Sequence, residues 1–116
     1  MLLKDLLGNK IKVYAFVGPS GTGKSYRAQM VASEKDIHFI IDDGLLIHDN
    51  EVIAGESAKK APTKIETVKH ALFYKEEEQQ EIIKAFKKYK PQSILILGTS
   101  DGMVQKIAAN LGLPEI

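Results

Sequence analysis

Eight consecutive residues, Gly18-Pro19-Ser20-Gly21-Thr22-Gly23-Lys24-Ser25, combine three glycines, an ammonium and a hydroxyl in one short run. The spacing is G-x-x-x-x-G-K-S/T, a pattern suited to holding a chain of phosphates. Gly18, Gly21 and Gly23 are expected to permit positive φ and to place no Cβ between the backbone and an anion. Successive N–H groups then turn inward as an anion nest. A helix starting near Lys24 adds its dipole and its open N–H groups. Lys24 is placed to reach β- and γ-phosphate oxygens, and the Ser25 hydroxyl suits Mg²⁺. The expected nucleotide-binding set is therefore Gly18, Pro19, Ser20, Gly21, Thr22, Gly23, Lys24, Ser25 and the adjoining Tyr26, with Lys24 also catalytic. The plain alternative is a glycine-rich turn that binds nothing.

A second group with chemical potential is Asp42-Asp43, just before Gly44. Beside a metal-bound triphosphate, a carboxylate holds a metal-bound water or accepts a proton from an attacking hydroxyl. Both aspartates are candidate catalytic residues, and Asp42 joins Ser25 as a candidate metal ligand. Alternatively both only shape a turn before Gly44. The sequence does not separate the two carboxylates. His38, His48 and His70 have no metal-ligand spacing among them and read as core or surface residues.

These groups need elements to position them. Ile11 to Val17 is rich in β-branched and aromatic residues and reads as a buried strand. Tyr26 to Ala32 holds no Gly or Pro and reads as a helix, ending near Glu34 to Asp36. Ile37 to Ile41 is a second apolar strand. Strand, helix and strand of this kind form a parallel right-handed crossover. Asp42 and Asp43 then emerge at the same sheet edge as the glycine loop, where ligands of open α/β sheets bind.

Strand, glycine loop and helix over about Lys12 to Met30 resemble the P-loop NTPase superfamily. The order of loop, helix, short apolar strand and aspartates is also similar to small-molecule kinases of the shikimate and gluconate kinase type. That resemblance implies acidic residues at the end of the second strand that meet metal or substrate. The same residues also resemble a Walker B strand ending in aspartate, although such a strand usually comes later in the chain.

Downstream, Leu45 to Gly55 reads as a small β-hairpin about Asp49-Asn50, placed where a substrate domain or lid is inserted. Gly55 to Pro62 reads as a polar loop over the site, with Lys59, Lys60 and Lys64 either near phosphate or simply solvated. Thr63 and Glu66 form a capping-box pattern, with Ile65, Val68 and Leu72 on one helix face. Glu76-Glu77-Glu78 restarts or continues that helix. Ile82, Ile83, Phe86 and Tyr89 make a further apolar stripe that Pro91 ends. Ser93 to Leu97 is a third core strand, bringing Gly98-Thr99-Ser100-Asp101 to the same edge. Ser100 or Asp101 caps a last helix, in which Val104, Ile107, Ala108 and Leu111 face the core. That strand end also resembles the γ-phosphate sensor position of P-loop ATPases. A short helix over Met1 to Gly8 reads as a packing extension.

The chain of 116 residues is long enough for one domain with a core, and 44% hydrophobic content argues against general disorder. A net charge of +1 gives no case for nucleic-acid attraction. Without cysteine there is no disulfide framework, and no apolar run approaches a membrane span. These features point to the cytoplasm. The expected architecture is a single three-layer α/β P-loop domain over 1–116. Its sheet is mostly parallel, carries an inserted β-hairpin, and has an incomplete core of three parallel strands. Such a sheet implies an N-terminal piece of a longer protein, or completion by a partner subunit or additional domain.

The expected cofactors are ATP and Mg²⁺. ATP is preferred to GTP because no Asn-Lys-x-Asp signature is present. The first functional expectation is slow ATP hydrolysis or phosphoryl transfer. The alternative is a nucleotide-sensing or assembly module that binds without efficient turnover. Arg27 is the chain's single arginine. It does not replace the arginine sets that stabilise transferring phosphate elsewhere, and this favours the alternative.

Overall fold

The computed structural model describes residues 11–19, 23–56, 63–114 and 116. The expected N-terminal helix, the loop-tip residues Ser20, Gly21 and Thr22, and the polar segment from 57 to 62 lie outside the described residues.

The strand β1 (Lys12–Val17) is followed by α1 (Lys24–Glu34), β2 (Phe39–Asp42), β3 (Leu45–His48) and β4 (Glu51–Gly55). Then come α2 (Lys64–Ala71), α3 (Glu76–Tyr89), β5 (Ser93–Gly98) and α4 (Asp101–Asn110). The five strands form one sheet in the order β1-β5-β2-β3-β4. β5 pairs in parallel with β1, from Lys12 opposite Ser93 to Val17 opposite Gly98. Its other side pairs in parallel with β2. The remaining pairings, β2 with β3 and β3 with β4, are antiparallel.

The sequence of β5 explains its central place. Ile94-Leu95-Ile96-Leu97 has no polar face, as a strand covered on both sides requires. Leu95 and Leu97 pack with Ala28, Ala32, Ile37 and Ile40 on the α1 side. Ile94 and Ile96 pack on the opposite face with Ile82 and Phe86 of α3 and Val104, Ile107 and Leu111 of α4. Three layers result, and the C-terminal ends of β1, β5 and β2 share one edge. Each fully buried Leu or Ile contributes about 1.5–3 kcal/mol over an exposed one, so this edge has a rigid base.

Two tight turns carry the chain from β2 into β4. Asp42 pairs with Leu45 and His48 with Glu51, leaving Asp43-Gly44 and Asn50 with Asp49 as two-residue loops. All four residues have positive φ, the pattern of type I′ turns that matches strand twist. The hairpin about Asp49-Asn50 forms as expected, but it is not set apart as a lid. β3 and β4 continue the sheet, which is accordingly mixed, with two parallel and two antiparallel pairings.

Other details also differ from expectation. The chain does restart after α2: Phe73 takes φ 58 and is buried, and Gln79 Nε2 donates to its carbonyl at 2.8 Å. The expected apolar face of α2 is buried only at its C-terminal end. Leu72 is covered, whereas Ile65 is 69% and Val68 57% exposed. Helical spacing aligns these side chains, but the first turns of this short helix stand off the core. At the outer edge of β1 no further strand pairs among the described residues. No described helix is long and apolar enough to cross a membrane.

Candidate phosphate and metal site

The loop ends where α1 begins. Gly23 supplies the left-handed residue, φ 73, that turns the chain into the helix. Gly18, expected to do the same, is not in that region, and Gly21 lies outside the described residues. No side chain caps α1, and its first turn holds no acidic residue. Among the described residues its leading N–H groups thus have no capping side chain and no acidic residue of the same turn, which leaves the positive end of the dipole open to an anion.

Lys24 folds back across the strand ends. Its Nζ donates to the Gly18 carbonyl at 2.9 Å and to the Gly98 carbonyl at 3.2 Å. The Gly18 N–H in turn donates to Gly98 O at 3.1 Å, tying the loop to β5. The ammonium is thus held by two neutral carbonyl acceptors, one in the loop after β1 and one at the end of β5.

Ser25 follows on α1 and points toward β2. Its Oγ donates to Asp42 Oδ2 at 2.5 Å. The crossover from β1 skips over β5 to β2, which brings the serine at the start of α1 beside the aspartate at the end of β2. Hydroxyl and carboxylate are hard oxygen donors, the type Mg²⁺ takes alongside phosphate oxygens and water. The donor types present therefore fit the expected metal, which Ser25 and Asp42 would hold. Asp43 is the first residue of the β2–β3 turn, φ 53, and is half-buried. Pro19 and Tyr26 lie at the surface, with Tyr26 70% exposed.

The end of β5 behaves as a cap. Ser100 Oγ accepts from the Met103 N–H at 3.1 Å, while Thr99 directs its N–H and hydroxyl to Met103 Sδ at 3.4 and 3.5 Å. His38 sits at the opposite sheet edge. Its ring contacts Asp49 at 2.8 Å and Asp36 at 3.1 Å, and the hydrogen bond and charge of Asp49 raise its pKa. His48 stacks on Phe39 with ring centroids 4.3 Å apart. No group of three or more His, Asp or Glu side chains among the described residues is arranged to hold a metal ion by itself.

Sequence reasoning missed two features. One is the Gly98 carbonyl as an anchor for Lys24, since a backbone acceptor leaves no residue-type signal. The other is a group formed by His70, Glu78 and the Glu56 carbonyl beside Gly44. His70 and Glu78 lie on separate helices, so no single helical spacing joins them.

Among comparisons with known proteins, a family profile matches residues 14–110: AAA, the ATPase family associated with various cellular activities. The match runs from the middle of β1 to the end of α4 and so includes the loop, Asp42 and every other strand of the sheet. No curated protein and no solved structure gives a match.

Proposed function

The chain belongs to the AAA family of ATPases, and from that premise we propose that it binds Mg²⁺·ATP on the Gly18–Ser25 loop and hydrolyses it slowly. Nucleotide binding of the P-loop ATPase kind comes with the family. The 2.5 Å contact between Ser25 and Asp42 carries the finer reading. It joins the last residue of the phosphate loop to a carboxylate on a strand two positions away in the sheet.

In this reading the α1 N–H groups and Lys24 take the phosphate oxygens. Ser25 and Asp42 would hold Mg²⁺, which would supply positive charge against the phosphates. Asp43, next in the chain, supplies the carboxylate for an attacking water. Transfer to a small acceptor, implied by the likeness to shikimate and gluconate kinases, uses the same groups with a hydroxyl in place of water.

A second reading has its own observation. Arg27 is the chain's single arginine and lies on α1 beyond the loop. A site with no further guanidinium favours binding over rapid turnover. The outer edge of β1, unpaired among the described residues, supports a form in which a second copy or another domain completes the sheet.

Lys24→Ala tests the common ground. Loss of a charge-assisted contact in a partly desolvated site should weaken Mg²⁺·ATP binding by ~2–4 kcal/mol in calorimetric titration. Equal affinity would mean that the loop is not the nucleotide site. Turnover assays with and without acceptor hydroxyls then separate hydrolysis, transfer and simple binding.

A further inference from the structure

We propose that His70 is a positioning residue for Asp42, acting through a clamp on the β2–β3 turn. The proposal rests on the reading of Asp42 as a Mg²⁺ ligand. Gly44 has φ 83, and a Cβ there would fall 2.6 Å from the Glu56 carbonyl oxygen and 2.9 Å from His70 Cδ2. The imidazole and that carbonyl thus pack straight onto the turn glycine. Only Asp43 separates Gly44 from Asp42, whose carboxylate receives the Ser25 hydroxyl.

The clamp is itself held from behind. His70 Nε2 lies 2.5 Å from Glu56 O. A carbonyl only accepts, so Nε2 donates to it, and Nδ1 lies against the Glu78 carboxylate of α3, a contact that holds the ring through a proton shared between the two. One turn further along α3, Glu81 accepts from the Gly55 N–H. Gly55 is the register partner of Leu45, and a Cβ on it would meet Gly44 O at 2.1 Å. The turn therefore lies between the end of β4 and the α2 imidazole, and both are tied to α3.

Packing alone does not call for these residue types. The His70 and Glu78 side chains are only 22% and 16% exposed, a position that apolar residues would fill without any need to match polar partners. What the polar set provides is direction. A hydrogen-bonded ring fixes the height of the turn, and the turn fixes Asp42. Groups that orient a metal ligand in this way commonly change metal affinity about 10–100-fold when removed. Through them, α2 and α3 gain a mechanical link to the metal position.

The test compares wild type with His70→Ala, His70→Gln, Glu78→Gln and Asp42→Asn. Calorimetry measures ATP binding in EDTA and across a MgCl₂ series, and hydrogen exchange follows the amides of Asp42 to Leu45 in ligand-free protein. His70→Ala and Glu78→Gln should raise half-saturating Mg²⁺ about tenfold, leave binding in EDTA unchanged and speed exchange in the turn. His70→Gln, which still donates to Glu56 O, should recover part of the loss. If Asp42→Asn alone shifts the Mg²⁺ response, the clamp is overturned and the metal site stands. If Asp42→Asn also leaves it unchanged, the metal-site reading falls and the clamp with it. A lower melting temperature in the His70 and Glu78 variants with an unaltered Mg²⁺ response likewise overturns the clamp.

Discussion

Two helices start at the same edge of the sheet, on neighbouring parallel strands, and their first turns are built in opposite ways. After β5, Ser100 caps α4 through the Met103 N–H, and Asp101 stands in its first turn. After β1, α1 is entered through Gly23, with no capping side chain and no acidic residue in the first turn. α2 and α3 follow the α4 pattern in charge, with Glu66 in one and Glu76, Glu77 and Glu78 in the other. Every helix carries the same dipole. Of these four starts, α1 alone has neither a capping side chain nor an acidic residue in its first turn, which is why the proposed phosphate site is placed there.

The largest effect should fall where α1 meets a carboxylate on another strand. Asp42→Asn keeps the size of the side chain and an acceptor for Ser25 Oγ but removes the charge. Single-turnover hydrolysis at saturating Mg²⁺·ATP should slow by ~10²–10⁴, with little change in nucleotide affinity. Asp43→Asn in the same assay separates the two neighbours, because Asn tolerates the left-handed turn position that Asp43 holds. A wild-type rate that neither variant lowers removes the catalytic assignment. If the wild type itself barely turns over, the binding-module reading gains.

Exchanging the characters of the two helix starts should give smaller effects of opposite kinds. Ser100→Ala removes the α4 cap and should cost about 0.5–2 kcal/mol of stability in denaturant unfolding, while ATP affinity holds. Tyr26→Glu gives α1 the acidic first turn that the other helices have. Measured against Tyr26→Gln to isolate charge, it should weaken ATP binding by about 0.3–1 kcal/mol at low salt, and less as salt is added. Equal binding by the Glu and Gln variants would show that the bare start of α1 does not contribute to anion affinity.

This contrast was legible in the sequence because it is local. Glycine before Lys24, serine before Asp101 and Thr63 before Glu66 each declare a helix start within four residues. The Glu66 N–H indeed donates to Thr63 Oγ1 at 3.1 Å. Asp43-Gly44 and Asp49-Asn50 announced turns in the same way, through residues that accept positive φ. What the sequence hid is non-local. β5 comes some fifty residues after β2 yet inserts between β2 and β1, and only the all-apolar run at Ile94 to Leu97 hinted at a doubly covered strand. Ile65 and Val68 show why periodicity alone misleads. It aligns a face but does not say what that face meets. Asp42 and Asp43 were picked out together by their place at a strand end, and it is the fold that sets Asp42 against Ser25, whereas the proposed link to His70 crosses two helices and a turn and leaves no spacing to read.

The two ends of α1 give the subtlest comparison. Its start is bare, but beyond its C-terminus Asp36 and the hairpin residue Asp49 both approach His38, with His48 Nε2 a further 3.5 Å from Asp49 Oδ2. The hydrogen bond to Asp49 is the main cause of the raised His38 pKa, followed by the Asp49 charge, with Asp36 adding to it and burial opposing it. A raised folded-state value means that the folded chain holds this proton more tightly than the unfolded chain. The resulting stability is fully present below the ordinary imidazole value of 6.5 and is lost as pH rises through the raised value. His38 is exposed to solvent, so the effect is screened and small. Melting temperatures of wild type and His38→Gln should therefore differ most at about pH 6, below the ordinary imidazole value, and converge as pH increases. Added salt should shrink the difference. ATP affinity at fixed pH should be the same in both proteins, because His38 lies at the sheet edge opposite Lys24 and Ser25. A stability difference that widens with increasing pH would reverse the sign of the linkage and remove His38 as the proton-binding partner of Asp36 and Asp49.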